Sequence, residues 1–310
     1  MRLRNTIISV GVALLFFSAF AQEPSPLRPA PARPRQDTVQ GDTVAKPRGE
    51  RTIVNIKSKR MFPIQIGGDS TVHAFVGNVV AYHNGAVMLC DSAVRYDENR
   101  IECFENVLIN KDSTYVYGDR VLYDRLTNTA QVFSPLIKMI DGQAVLYTYH
   151  FKYNTLDNVG EYYGGGTMSQ GRMLLESDRG YYYGSTRDAV CVGNVELRDS
   201  TYLIVSDSLG FNMDTEIATF YRKTYIWNEK EEILSANSGW YDTRTDHYHF
   251  MSDAYVLSED QEIWADDMDY RADSDDVVLR RNIQILDEGQ NTTLDTLMMV
   301  LTRFGEGAKE

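Results

Sequence analysis

Residues 145–153 read Val145-Leu146-Tyr147-Thr148-Tyr149-His150-Phe151-Lys152-Tyr153, with β-branched and aromatic side chains at alternating positions. Alternation with a period of two is typical of a β-strand that buries one face. Similar stretches, each followed by a polar turn, recur along the rest of the chain. No segment of helical length shows the apolar spacing of an amphipathic helix. The sequence therefore predicts an all-β protein.

The stretches recur at an interval of about 29 residues, which indicates a repeat protein. In each copy the first strand ends with a large residue that we call the anchor. The anchors are Tyr96, Tyr123, Tyr153, Tyr182, Phe211, Tyr241, Tyr270 and Met299. Four positions before the anchors stand Ser92, Asp119, Tyr149, Asp178, Asp207, Asn237, Asp266 and Asp295, of which six are Asp or Asn. A second strand is predicted about ten residues after each anchor. We therefore expect about eight two-stranded repeats stacked into an elongated fold.

Alternation also predicts which face of each strand is buried. The residues two before the anchors are Val94, Val121, Phe151, Gly180, Leu209, Gly239, Met268 and Leu297, six of them apolar and two Gly. The residues one before the anchors, such as Lys152 and Asp269, form a mixed set. A register slip of one residue would exchange the two faces. The anchors and the residues two before them are therefore predicted to point inward.

The N-terminus predicts export. Arg2 and Arg4 precede an apolar run that ends in Ala19-Phe20-Ala21, the pattern of a cleaved secretory signal peptide over residues 1–21. An uncleaved membrane anchor is the alternative, although the run is shorter than the roughly 20 residues that a span needs. Residues 22–50 hold six of the 8 prolines and few large apolar residues, so they are predicted to be a disordered linker. Residues 51–310 remain as the folded domain.

Composition argues against several function classes. Residues 51–310 hold 24 Lys and Arg against 40 Asp and Glu, an acidic balance that does not suit a nucleic-acid binder. No catalytic triad, Cys/His pair or distinct carboxylate pair stands out, so the chain is not expected to be an enzyme and no cofactor is predicted.

Several smaller motifs have structural interpretations. We expect the recurrent Asp to accept backbone N–H bonds at the start of strands, and Gly164-Gly165-Gly166 to form a turn or bulge. His247 and His249 are expected to be a surface pair rather than a metal site, because no third ligand is evident. The sequence leaves open whether Cys90 and Cys103 form a disulfide.

Two motifs that alternate along the chain resemble the OstA-like family, which includes LptA and the N-terminal periplasmic domain of LptD. The first motif is Gly-Asn-Val, at Gly77-Asn78-Val79 and Gly193-Asn194-Val195. The second is Asp-x-x-x-Tyr, at 119–123, 178–182 and 266–270. The resemblance covers roughly residues 72–300. It implies an open β-jellyroll of antiparallel strands with a hydrophobic groove along its length.

The resemblance also implies a function: carrying lipopolysaccharide across the periplasm toward the outer membrane, with end-to-end assembly by strand addition at open sheet edges. The expected partners are the lipopolysaccharide acyl chains and other jellyroll proteins of the bridge. The residues expected to line the lipid groove are Val94, Tyr96, Val121, Tyr123, Tyr149, Phe151, Tyr153, Leu209, Phe211, Met268 and Tyr270.

Two other functions remain open. One is a β-solenoid scaffold or surface adhesin with a dry core, and the other is a right-handed β-helix enzyme that acts on polysaccharide. Strand direction separates these from the jellyroll, since solenoid coils pair in parallel and jellyroll strands pair antiparallel.

Overall fold

The computed structural model describes residues 53–302, except residues 69, 230–231, 259–260, 272–273, 275, 288–289 and 295–297, with only the backbone described from residue 287 onward. The predicted signal peptide and linker lie outside the described residues, as do Asp295 and Leu297. Every element in the described part is a β-strand, which confirms the all-β prediction. A search of these residues for a helix able to cross a membrane finds none.

The strands are β1 (Asn55–Lys57), β2 (Arg60–Ile66), β3 (Ser70–His83), β4 (Ala86–Arg95), β5 (Arg100–Lys111), β6 (Thr114–Asp124), β7 (Thr129–Phe133), β8 (Ile137–Asp141), β9 (Ala144–Asn154), β10 (Val159–Gln170), β11 (Met173–Tyr183), β12 (Asp188–Arg198), β13 (Tyr202–Asn212), β14 (Ile217–Phe220), β15 (Thr224–Asn228), β16 (Ile233–Ala236), β17 (Ser238–Asp242), β18 (His247–Leu257), β19 (Gln261–Arg271), β20 (Asp276–Arg280), β21 (Ile283–Asp287), β22 (Gln290–Leu294) and β23 (Met298–Thr302).

These strands form one sheet in which neighbours in sequence are neighbours in space. Short strands continue one another across an interruption: β7 and β8, for example, both pair with β6 on one side and with β9 on the other. We call each long strand, or each such pair of short strands, a rung. All the described pairings are antiparallel, as predicted for the jellyroll and unlike the parallel coils of a solenoid or β-helix.

Most rungs bend near their middle, at what we call the corner. Here two residues on one rung oppose a single residue on the next, as at Gly193 and Asn194, where the register shifts between Val192 and Val195. Both residues have positive φ, 81° for Gly193 and 45° for Asn194, a region that Gly and Asn tolerate best. The Gly-Asn-Val motif is thus a β-bulge followed by an inward Val. Gly164 and Gly165 form the same kind of bulge, as the sequence predicted.

The recurrent Asp lies on the rung that faces each bulge. The Asn side-chain amide of the bulge donates to this carboxylate between Asn106 and Asp91 (2.6 Å), Asn194 and Asp178 (2.8 Å), and Asn282 and Asp266 (2.8 Å). The Asp therefore has a structural role, as expected. Its position and partner differ from the prediction, because it lies in the middle of a rung and accepts from a side chain.

The corners divide every rung into two arms. We call arm A the part that carries the anchors and arm B the part beyond the corner. His83 lies at the arm B end of β3 and Tyr123 at the arm A end of β6, yet His83 Nδ1 and the Tyr123 hydroxyl are 2.6 Å apart. Residues at opposite ends of nearby rungs cannot meet in a flat sheet. The sheet is therefore folded along its corners, and the two arms enclose a single apolar core.

Candidate functional site

One row of inward positions crosses arm A from rung to rung. Strand register links Phe75, Ala93, Cys103, Val121, Val132, Phe151, Tyr162, Gly180, Cys191, Leu209, Phe220, Gly239, Phe250, Met268 and Leu279. The thirteen members other than the two glycines are at most 4% exposed. The row gives the fold an uninterrupted apolar lining.

A second inward row follows the anchors, and in its part from Tyr123 to Tyr241 large and small residues alternate. It runs through Ile101, Tyr123, Ala130, Tyr153, Gly160, Tyr182, Ala189, Phe211, Ala218, Tyr241, Tyr248 and Tyr270. The small residues make room for the rings beside them. A Cβ added to Gly160 would lie 2.5 Å from Cζ of Phe151. From Tyr123 to Tyr241 the anchors therefore interlock, whereas Tyr248 and Tyr270 at the end of the row stack with their ring centres 4.9 Å apart.

Eight of the predicted groove residues lie in these two inward rows. Val121, Tyr123, Phe151, Tyr153, Leu209, Phe211, Met268 and Tyr270 are between 0% and 9% exposed. Their predicted orientation is therefore confirmed, and their contact with lipid stays a prediction.

Three predicted groove residues do not point inward. Val94 and Tyr96 belong to the first copy, where Ala93 occupies the inward position and Arg95, paired with Ile101, occupies the anchor position. The Tyr96 hydroxyl instead donates to Oε2 of Glu102 at 2.5 Å, and the ring is 38% exposed. An aromatic residue directly after the anchor position shifted the predicted register by one. Asp91, four residues before Arg95, was the signal for the correct register.

The prediction that Tyr149 lines the groove is wrong for a different reason. It occupies the corner position that Asp fills in other copies, and such side chains point away from the core. Its ring is 59% exposed.

Polar contacts join the free ends of the two arms along what we call the seam. Each contact links an arm B turn to an arm A turn 40–44 residues further along the chain, which is about one and a half repeats. They are Asn84 Nδ2 to Asn128 Oδ1 (2.7 Å), His83 to Tyr123 (2.6 Å), Thr114 Oγ1 to Asn158 Oδ1 (3.2 Å), Tyr182 OH to Asp141 Oδ2 (2.9 Å) and Gln170 Nε2 to the Met213 carbonyl (2.7 Å). The rings of Tyr202 and Tyr241 pack edge to face at the same boundary, with their centres 5.8 Å apart. The seam closes the side of the jellyroll opposite the corners.

Asp141 is the centre of the seam. Its carboxylate is fully buried, and Oδ2 accepts hydrogen bonds from Tyr182 (2.9 Å) and Thr114 (3.3 Å). The Arg187 guanidinium donates to the Asp141 backbone carbonyl at 3.2 Å. Oδ1 makes no hydrogen bond to any residue in the described part of the chain. A buried carboxylate with an unsatisfied oxygen is costly, so Asp141 destabilises the seam at this point.

Burial keeps the seam tyrosines neutral. Loss of solvation, followed by the nearby charge of Asp141, raises the pKa of Tyr182 far above its usual value. Burial likewise raises the pKa of Tyr202 to about 12, although a hydrogen bond with Thr243 partly offsets the effect. At neutral pH these hydroxyls are therefore protonated, and that of Tyr182 donates to the Asp141 carboxylate.

The other motifs of the sequence do not form a reactive site. His249 faces Asp267 (3.0 Å) and His247 faces Asp269 (3.5 Å), with the Trp240 ring against both imidazoles. The described residues hold no group of three or more side chains that could bind a metal ion. The thiols of Cys90, Cys103 and Cys191 are buried and free.

Comparison with known proteins gives the family. The family model described as OstA-like protein matches residues 51–207 and 168–267. A search of curated proteins finds no match. Among solved structures, the chain is similar to LptH from Pseudomonas aeruginosa, the LptA-homologous periplasmic component of the lipopolysaccharide transport device, at 11% identity and a TM-score of 0.30 over 34% of this chain and 79% of that one.

A second solved structure, BamB from Moraxella catarrhalis, matches at 11% identity and a TM-score of 0.13 over 81% of this chain and 92% of that one. Neither structural likeness is strong enough to carry an argument. The family match covers more than half of the chain and includes the seam contacts and most of the two inward rows. The chain therefore belongs to the OstA-like protein family.

Proposed function

We propose that this protein is a periplasmic carrier that holds the acyl chains of lipopolysaccharide between its two arms on the way to the outer membrane. Family membership supports a role in lipopolysaccharide transport in general. The observation that carries the specific proposal is the uninterrupted inward row of arm A, which offers apolar contacts from the second rung to the penultimate one. Burying acyl chains is favourable by about 0.8 kcal/mol per CH₂.

The interior is closed in this structure, so entry of lipid requires a movement. Residues of the inward row such as Phe151 and Leu209 are at most 1% exposed. Two boundaries could part: the corners, where the backbone is continuous, and the seam, where only side chains and single hydrogen bonds join the arms. Parting the seam breaks no rung-to-rung pairing. We therefore assign the seam as the route by which acyl chains enter.

Assembly with other jellyroll proteins would use the first rung. All seven residues of β2 are exposed, with Met61 60%, Phe62 43%, Ile64 39% and Ile66 49% exposed. β2 pairs with β3 on one side, and its other side has no paired strand in the described part of the chain. An apolar open edge of this kind is suited to strand addition by a partner.

The predicted signal peptide supports a periplasmic location for the domain. The acidic balance of residues 51–310 argues against nucleic acid as a partner. A carrier needs neither a cofactor nor catalytic residues, and the proposal assigns none. The alternative is a scaffold with a permanently dry core, which the tight packing of the interior favours.

In-cell photo-crosslinking separates these two functions. A photoreactive residue at Phe151 faces the interior, and one at Lys152 faces outward on the same strand. The carrier predicts lipopolysaccharide adducts from position 151 and none from position 152. Exported, folded protein without adducts at position 151, or at Leu209 and Met268, would identify the dry scaffold instead.

A further inference from the structure

The outer face of arm B is apolar over the first repeats. Two outward rows cross β3 to β9, and register places their members side by side: Val80, Leu89, Leu108, Tyr117, Lys138 and Tyr147 in the first, and Tyr82, Val87, Asn110, Tyr115, Ile140 and Val145 in the second. Ten of these twelve residues are apolar or aromatic, and none is acidic. We call this surface the tyrosine face.

The tyrosine face differs from the rest of the domain. The outer face of arm A over the same rungs carries Glu102, Arg120 and Lys152, with an ion pair between Glu102 and Arg120. The whole of residues 51–310 carries 16 more acids than cations. A patch of twelve neighbouring outward positions without an acidic residue is therefore unusual for the surface of this domain. An exposed apolar patch of this kind marks an interaction site.

The exposed rings have the character of a membrane interface. Tyr82, Leu89, Tyr115, Tyr117 and Tyr147 are each between 38% and 42% exposed. The Lys57 ammonium lies 5.7 Å from the centre of the Tyr82 ring, and the Lys138 ammonium lies 5.7 Å from that of Tyr147. Tyrosine combines an apolar ring with a hydroxyl that stays hydrated, which is why it concentrates at the headgroup level of bilayers.

The size of the face argues against a stable protein dimer. Six rungs about 4.8 Å apart and two outward rows about 7 Å apart give a patch of roughly 400 Å². A specific protein interface usually buries about 800 Å² on each partner. A patch of this size is too small for a lasting dimer, and it is sufficient for weak, reversible adsorption of rings and aliphatic side chains into a lipid surface.

We infer that the tyrosine face docks the domain on a zwitterionic phospholipid surface. Its rings insert at the headgroup level, while the two lysines lie beside lipid phosphates. The acidic domain, with Asp91 and Asp119 at the adjacent corners, repels anionic lipid, so neutral headgroups are preferred. The surface is separate from the interior proposed to hold acyl chains, and the inference does not depend on that proposal.

A second apolar group lies further along the same outer face. It includes Tyr225 (43% exposed) and Trp227 (37% exposed) on β15. Arg198, paired with Glu176 and Glu196, separates it from the tyrosine face. Neighbouring strands rotate by about 20° relative to one another, so the two groups point in different directions. A flat membrane surface can therefore contact only one group at a time.

Vesicle flotation of the exported full-length protein tests the inference. We expect the wild-type chain to float with phosphatidylcholine vesicles and to float less with vesicles that contain phosphatidylglycerol. Joint substitution of Tyr115, Tyr117 and Tyr147 by Ser should lower the vesicle partition coefficient at least about tenfold. The matched control replaces three tyrosines by Ser on the outer face of arm A, where they are 38–39% exposed: Tyr163, Tyr181 and Tyr183. This control protein should still float with the vesicles.

Single Tyr115→Asp provides a second variant if the triple substitution does not fold. Wild-type protein that stays at the bottom of the gradient would overturn the inference, and so would equal flotation of the two triple variants. Light scattering tests a different occupant. If the wild-type protein is a dimer and the triple substitution of Tyr115, Tyr117 and Tyr147 dissociates it, the tyrosine face binds a second copy of this chain. That outcome also overturns docking on lipid.

Discussion

Tyr182→Phe is the substitution that most sharply tests the seam. It removes one hydroxyl and leaves a ring of the same shape in the same buried place. The lost bond is the 2.9 Å contact to Oδ2 of Asp141, which leaves this buried carboxylate with Thr114 at 3.3 Å. A hydrogen bond to a charged acceptor contributes about 1.5–3 kcal/mol, so we expect a loss of about 2 kcal/mol in the free energy of unfolding.

Urea unfolding at pH 7 measures this loss as a lower midpoint with an unchanged slope. The melting temperature should fall by about 4–8 °C, given roughly 2–4 °C per kcal/mol for a domain of this size. Tyr181→Phe is the matched control, because this neighbouring ring points outward and is 39% exposed. We expect the control to lie within about 0.5 kcal/mol of wild type. Equal stabilities of the two variants would refute the role of Asp141 and Tyr182 in closing the seam.

Three further predictions follow from packing, corners and ionisation. Gly160→Val should destabilise the domain by about 1–3 kcal/mol in thermal unfolding, because the added Cβ would lie 2.5 Å from the Phe151 ring. A stability equal to wild type would contradict the interlocked packing of the inward rows. Asn194→Ala should cost more than Asn194→Gly in urea unfolding, because both lose the bond to Asp178 but Gly tolerates the φ of 45°; the reverse order would count against the corner account. Burial raises the pKa of Tyr153 and Tyr241, so the stability they contribute is complete below about pH 10 and is lost as the pH rises above it. Absorbance at alkaline pH should therefore show these phenols ionising together with unfolding, whereas independent ionisation in the folded state would contradict their burial.

Much of the fold could be predicted from local patterns. Strict alternation gave the strands, and the spacing of anchors such as Tyr153 and Tyr182 gave the repeat and the inward face. The one register error arose where the first copy has Arg95 in the anchor position and Tyr96 directly after it. The prediction took the aromatic Tyr96 as the anchor, although Asp91 marks the corner four residues before Arg95. The hydrophobic pattern alone does not show where a corner lies.

The seam could not be predicted in this way. Asp141 and Tyr182 lie 41 residues apart and at opposite ends of their rungs, so no local period connects them. Their contact depends on how sharply the sheet folds at its corners, which is a property of the bulges and not of either residue. The tyrosine face, by contrast, follows from the outward positions of strands whose inward positions were already assigned.

Locking the seam while probing the interior tests the central claim most directly. Asn84 Nδ2 donates to Asn128 Oδ1 across the seam at 2.7 Å, so a short bifunctional thiol crosslinker should join the two sides in a variant with Asn84→Cys and Asn128→Cys. With a photoreactive residue at position 151, the variant without the crosslinker should yield lipopolysaccharide adducts and the crosslinked variant should yield few. Equal adducts with and without the crosslinker would contradict entry of acyl chains through the seam.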